Sequence, residues 1–167
     1  MDLAAMLNDL FDNSIIICAM LGWVSAQVAK VFIHLFTEKE FNPKRVFGAG
    51  GMPSSHTATV VALASACGWV FGFNSPYFAI SITLAVIVMH DAMGVRRETD
   101  KQSSLLKQLI GIIDDLSEKN VSQIINEKLK DFVGHTPLQV FCGGFVGLVV
   151  TVIVMFVLKV PYAVPIA

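Results

Sequence analysis

Four apolar stretches, each close to the length of about 20 residues that crosses a bilayer as a helix, dominate the pattern of this chain. They cover 14–36, 55–73, 76–93 and 137–158, with polar or turn-forming residues at their ends. The pattern therefore predicts an all-α integral membrane bundle of about four transmembrane helices. Because no internal repeat or low-complexity tract divides the chain, we expect 1–167 to form a single membrane domain.

A polar insert at 96–133 separates the third predicted helix from the fourth and holds seven of the twelve Lys and Arg residues. Within it, Leu and Ile recur at helical spacing, at positions 105, 106, 109, 110, 113 and 116. Such spacing is typical of an amphipathic helix that lies on a membrane surface or against a partner. The segment 103–133 is therefore one candidate surface for a homo-oligomer.

Small residues mark one face of two predicted helices. The second helix carries Ala58, Ala62, Ser65 and Ala66, and the fourth carries Gly143 and Gly147. Small side chains let transmembrane helices approach closely. These faces are expected to pack inside the bundle or, as the other candidate surface, between copies of the chain.

The distribution of positive charge predicts the orientation. Lys39, Lys44 and Arg45 lie in the first loop, and together with the insert they place ten of the twelve basic residues on one side, against Lys159 alone on the other. Cytoplasmic loops carry an excess of Lys and Arg. We therefore expect the insert on the cytoplasmic side and both termini outside.

Composition adds two exclusions. The chain is 54% hydrophobic with a net charge of −1, so it lacks the basic excess that would indicate nucleic-acid binding. Cys18, Cys67 and Cys142 lie in apolar runs without the spacing of metal ligands, so we expect neither a metal nor another cofactor.

Polar residues from four distant parts of the sequence converge on the predicted cytoplasmic face. Lys30 lies inside the first span, the segment 50–56 opens the second, 91–97 closes the third and 134–137 opens the fourth. Ionisable residues inside membranes are energetically expensive and commonly mark a site. The alternative for Lys30 is that its long side chain extends to the headgroups without further function.

These residues suggest phosphate chemistry. Ser54 and Ser55 supply hydroxyl and N–H donors at a helix N-terminus, where the helix dipole favours an anion. Lys30, Arg96 and Arg97 are candidates to neutralise phosphoryl oxygens. The alternatives are that Ser54 or Ser55 only caps the helix and that the two arginines only stop membrane transfer.

Three motifs carry a resemblance to a known family: Gly-Gly-Met-Pro-Ser-Ser-His at 50–56, Asp-Ala-Met-Gly-Val-Arg-Arg at 91–97 and Gly-His-Thr-Pro at 134–137. Together they resemble the divergent branch of the type 2 phosphatidic acid phosphatase and vanadium haloperoxidase superfamily. The resemblance implies that His56 acts as general acid and His135 as nucleophile. This chain departs from the superfamily in having Gln139 where an aspartate would orient that nucleophile.

Asp91 has two interpretations, either to orient His135 in place of the missing carboxylate or to form an ion pair with Arg96 or Lys30. The function that these residues favour is a metal-independent membrane phosphatase acting on lipid phosphates, of the phosphatidic acid or polyprenyl phosphate type, through a His nucleophile. The alternative is a non-catalytic membrane protein that binds phosphate-bearing lipid headgroups for transport or assembly.

Overall fold

The computed structural model describes residues 2–38, 51–94, 102, 104–106, 108–110, 112 and 136–162. Five helices are defined in this part of the chain: α1 at Leu3–Phe11, α2 at Ser14–Glu38, α3 at Ser55–Phe71, α4 at Pro76–Met93 and α5 at Pro137–Val157. Most of the predicted amphipathic insert lies outside the described residues. Those of its residues that are described are helical, and Leu105, Leu106, Leu109 and Ile112 are exposed.

Polar side chains define where the long helices begin. The amide oxygen of Asn13 accepts the N–H groups of the first turn of α2. Ser75 caps α4 by accepting the Phe78 N–H at 3.2 Å, with Pro76 at the first helical position. Such caps satisfy N–H groups that have no partner within the helix. The turn residues between apolar runs therefore set the helix boundaries.

Helix α3 is central, because it packs against α2, α4 and α5. At one end of the bundle, Ser55 of α3 contacts Lys30 of α2, and at the other Ala66 of α3 belongs to a buried cluster with Cys18 of α2 and Met155 of α5. Helix α3 therefore runs the length of the bundle, antiparallel to α2.

Three described helices, α2, α4 and α5, are long and apolar enough to cross a membrane, and α3 is a shorter apolar helix of 17 residues. At 1.5 Å per residue α3 rises about 26 Å, close to the thickness of the hydrocarbon layer. The prediction of an all-α membrane bundle is confirmed.

Close packing of small residues holds α3 against its neighbours. A Cβ atom added to Gly147 of α5 would lie 2.5 Å from the carbonyl oxygen of Ala58, and one added to Gly22 of α2 would lie 3.0 Å from the same oxygen. Thr151 adds a hydrogen bond between α5 and α3, since its hydroxyl donates to the carbonyl of Ala62 at 3.2 Å. The predicted close approach through Gly143 and Gly147 is confirmed.

Aromatic residues collect at the end of the bundle where α3 finishes. The ring of Trp69 packs edge-on against Phe156 and Tyr162, and its indole N–H donates to the carbonyl of Val160 at 3.1 Å. Trp and Tyr favour the boundary between hydrocarbon and water. The described polar residues of the predicted site, Lys30, Ser54, Ser55, His56 and Asp91, therefore lie at the opposite membrane boundary from this aromatic group.

The short helix α1 was not predicted from the sequence. It exposes an apolar face of Leu3, Met6, Leu7 and Leu10, with Asp9 among its polar residues. This period of three and four residues was a readable signal, although the segment is too short to span a membrane.

Candidate functional site

The Lys30 side chain is folded into the bundle. The residue is only 6% exposed, and its ammonium group donates to the Ser55 hydroxyl at 3.4 Å. A Cβ built on Gly51 would lie 4.0 Å from Cδ of Lys30, so the stem passes Gly51 on its way to Ser55. Extension of Lys30 to the headgroups is therefore the wrong interpretation.

Ser54 has a structural role, because its hydrogen bonds cap α3 and join α3 to α5. Its hydroxyl accepts from the Thr57 N–H at 3.4 Å and from the Thr57 hydroxyl at 3.1 Å, which makes it the N-cap of α3. Its own N–H donates to the carbonyl of Gln139 at 3.0 Å. The expectation that the Ser54 N–H is available to an anion is therefore wrong, because that donor is consumed in joining α3 to α5.

Ser55, the next residue, is buried and faces Lys30. As the first residue of α3 it carries an N–H with no acceptor inside the helix, and this N–H has no partner among the described residues. Gly51 adopts a φ of +95°, a conformation that glycine tolerates and other residues rarely adopt. We call Lys30, Gly51 and Ser55 the anion cradle, since they bring together an ammonium, a helix N-terminus and a glycine with positive φ.

His56 projects from a different side of α3, because adjacent helical residues lie about 100° apart. It is exposed and lines a cleft of about 300 Å³ between α3 and α4, together with Ile87, Val88, Asp91 and Ala92. The His56 cleft therefore combines two ionisable groups with an apolar wall. It adjoins the anion cradle at the first turn of α3.

A family model described as the divergent PAP2 family matches residues 11–150. The chain belongs to this family. The membrane protein YuiD of Bacillus subtilis (strain 168) is similar, with 32% identity over 154 residues that cover 89% of this chain and 98% of the relative. No solved structure shows a significant match. The predicted resemblance to the divergent PAP2 branch is thus confirmed at the level of the family.

The motifs that carry the family resemblance are partly described. Lys30, Ser54, Ser55, His56 and Asp91 all lie at one end of the bundle. The other predicted site residues, Arg96, Arg97 and His135, lie outside the described residues. Lys30 and Asp91 are both described and form no ion pair, while the alternative ion pair of Asp91 with Arg96 lies outside the described residues.

Gln139, at the position where the superfamily resemblance implies an aspartate, has a structural role in this member of the divergent PAP2 family. Its side-chain oxygen accepts the Thr136 N–H at 3.0 Å, while the Thr136 hydroxyl accepts the Gln139 N–H at 3.4 Å. This reciprocal pair is a capping box at the start of α5. This capping box was not predicted from the sequence, although Thr followed three residues later by Gln is its recognised signature.

The buried side-chain oxygen of Gln27 was also not predicted from the sequence. Gln27 lies on α2 one turn before Lys30, and its side-chain oxygen is buried without a hydrogen-bond partner among the described residues. The signal was a polar amide inside an apolar run, which in membrane helices commonly marks a functional contact.

Proposed function

We propose that this protein is a membrane phosphatase that acts on lipid phosphates, with His135 as nucleophile and His56 as general acid. The anion cradle is the observation that carries the proposal. A buried ammonium requires compensation, and the neutral Ser55 hydroxyl at 3.4 Å is a weak partner for a full charge. A phosphate group at the start of α3 would supply a negative charge, which no described residue supplies to Lys30, and would accept the Ser55 N–H.

The reaction would proceed in two steps. A ring nitrogen of His135 attacks phosphorus, forming an N–P bond as the P–O bond to the lipid breaks, and His56 gives a proton to the departing oxygen. Water then attacks the phosphohistidine, giving inorganic phosphate and free histidine. Arg96, Arg97 and Lys30 are proposed to stabilise the charge on the phosphoryl oxygens.

The position of the cradle supports an amphiphilic substrate. Ile87 and Asp91 are one turn apart on α4 and both line the His56 cleft, so the cleft passes from a polar end toward the apolar middle of the helix. A lipid phosphate could place its headgroup at the cradle and its acyl chain along this wall. We extend the proposal to orientation, with the cradle and the insert on the cytoplasmic side.

The direct test is release of phosphate by purified protein over a panel of phosphatidic acids and polyprenyl phosphates, with and without vanadate. We expect vanadate to inhibit, His135→Ala to abolish both turnover and the phosphoenzyme, and His56→Ala to slow turnover by about 10²–10⁴-fold as for a lost general acid. His90→Ala is the matched control, because His90 is an exposed α4 histidine with no assigned role. Full activity in His135→Ala would refute the mechanism.

A second candidate function rests on Gln139. Because an amide carries no charge and this one caps α5, it does not raise the basicity of a histidine as a carboxylate would. This favours a protein that binds phosphate-bearing lipid headgroups without hydrolysis. This binding function would replace the phosphatase proposal if the parent protein and Gln139→Asp both release no phosphate, while His135→Ala still binds lipid phosphate.

A further inference from the structure

Helix α1 separates apolar from polar residues around its axis. At about 100° per residue, one arc of about 160° holds all of its larger apolar side chains: Leu3, Ala4, Met6, Leu7, Leu10 and Phe11. The opposite arc holds Ala5, Asn8 and Asp9. Every residue of α1 is exposed, so the apolar arc is left open along its whole length. Such a division is typical of a helix that lies in the plane of a membrane surface.

Asn13 makes α1 a separate helix rather than an extension of the α2 span. The Asn13 N–H donates to the carbonyl of Leu10 at 3.4 Å, at the end of α1. Its side-chain oxygen accepts the N–H groups of Ile15 and Ile16, at the start of α2. The same residue therefore ends one helix and begins the next, and α1 is free to follow a direction of its own.

The start of α2 lies at the membrane boundary. Ile15 and Trp69 pack against the same buried cluster, which contains Cys18, and Trp favours the layer between hydrocarbon and water. Only residues 12 and 13 separate α1 from α2, and three extended steps of the chain span at most about 11 Å. The short connection therefore keeps α1 at this boundary, next to the aromatic group.

Charge determines which kind of lipid surface α1 fits. Asp9 lies in its polar arc and Asp2 and Asp12 are its caps, while the sequence has no Lys or Arg before Lys30. Surface helices with basic polar faces are attracted to anionic headgroups. Because like charges repel, an acidic helix fits a surface of uncharged, zwitterionic headgroups instead.

We propose that α1 lies along the membrane surface at the aromatic end of the bundle, with its apolar arc against the acyl chains, its acidic residues toward water, and a preference for zwitterionic over anionic headgroups. The proposal is independent of the proposed function, because α1 lies at the opposite end of the bundle from the anion cradle. It assigns the protein a lipid-contact surface outside its membrane-spanning helices.

Spin labels on single cysteines test the orientation of α1 in phosphatidylcholine nanodiscs. The full-length protein has its native cysteines replaced by alanine, and each label is exposed either to oxygen, which concentrates in hydrocarbon, or to a neutral nickel chelate, which stays in water. Labels at Leu7 and Leu10 should be relaxed more by oxygen, and labels at Ala5 and Asp9 more by nickel. Met20 is the control, because it is 55% exposed on the α2 span, and a label there should favour oxygen.

Two results would overturn the surface position of α1. Labels at Leu7 and Leu10 that are shielded from both reagents would show that protein, such as a second copy of the chain, covers the apolar arc. Labels at all four α1 positions that are equally open to nickel would show that α1 lies in water.

The headgroup preference is tested by adding anionic phosphatidylglycerol to the nanodiscs. The oxygen-to-nickel ratio at Leu7 should fall as repulsion lifts α1 toward water, while the ratio at Met20 stays the same. Replacing Asp9 and Asp12 together by asparagine should abolish the fall at Leu7, since the amides keep the size of the side chains and remove their charge. A ratio at Leu7 that does not respond to anionic lipid, or a fall that persists in the asparagine variant, would refute the preference.

Discussion

The backbone N–H of Ser54 donates to the backbone carbonyl of Gln139 at 3.0 Å. Ser54 is also the N-cap of α3, and Gln139 completes the capping box of Thr136 at the start of α5. One hydrogen bond therefore joins two helix N-termini, and both dipoles bring positive potential to the same end of the bundle. This arrangement favours an anion there before any charged side chain is counted.

Replacing Lys30 by methionine should separate binding from stability. Loss of a charged hydrogen bond, worth about 1.5–3 kcal/mol, should weaken vanadate or lipid-phosphate binding by about 10- to 100-fold. Resistance to thermal unfolding in detergent should stay the same or rise, because a buried charge is removed. Lys159→Met is the control, since Lys159 is exposed beyond the opposite end of α5, and it should alter neither property. A Lys30→Met protein that binds normally would remove the cradle from the proposed function.

Two adjacent glycines on α5 offer a matched pair. A Cβ on Gly143 would collide with the backbone carbonyl of Ser54, whereas one on Gly144 would meet methyl groups of Val61 and Thr57 at 3.8 and 3.9 Å, which is ordinary contact. We expect Gly143→Ala to destabilise the protein by about 1–3 kcal/mol, as overpacking does, and Gly144→Ala to be neutral or slightly stabilising. Unfolding midpoints in a denaturant series would measure the difference, and equal midpoints would contradict the close approach of α5 to Ser54.

Substitution of Gln139 tests what its side chain contributes. Gln139→Asp should increase phosphate release, because a carboxylate one turn from His135 would raise the basicity of the imidazole. The shorter side chain should also weaken the capping box and lower stability by roughly 0.5–2 kcal/mol. Gln139→Glu keeps the length required for the box and should unfold like the parent. A Gln139→Asp protein with unchanged or lower release, at a temperature where it remains folded, would contradict the expected gain.

Orientation can be measured by cysteine labelling in intact cells. The background variant has Cys18, Cys67 and Cys142 replaced by alanine, and single cysteines are introduced within the segment 99–130 or at Lys159. An impermeant reagent should label the segment only after the membrane is permeabilised, and the Lys159 position in intact cells, because the basic residues favour the cytoplasmic side. Labelling of the segment from outside would reverse the proposed topology.

The apolar stretches predicted the helices well, because transfer into lipid depends on the composition of a segment rather than on its detailed packing. The stretch 55–73 compares with α3 at Ser55–Phe71, and 137–158 compares with α5 at Pro137–Val157. The positions of the membrane helices could therefore be predicted from the sequence without knowing which helices pack together.

The sequence did not predict which neighbouring helix each residue at the start of α3 contacts. In a soluble helix the polar face identifies the exposed side, but apolar side chains of a membrane helix face both lipid and protein. Helix α3 has small or apolar residues around most of its circumference, so the sequence did not show that Ser54 faces α5, Ser55 faces Lys30 and His56 faces α4. The same ambiguity hid the buried position of Gln27.

The packing of α3 has a consequence for biogenesis. The α3 surface around Ala58 and Ala62 is covered by Gly22 of α2 on one side and by Gly147 of α5 on the other, and α5 is synthesised after α2, α3 and α4. Until α5 has left the ribosome, the α3 surface that Gly147 covers is open and the Ser54 N–H lacks its acceptor, the carbonyl of Gln139. A chain truncated before Thr136 would thus be inserted but unfinished, with exposed backbone polar groups that a membrane quality-control protease could recognise.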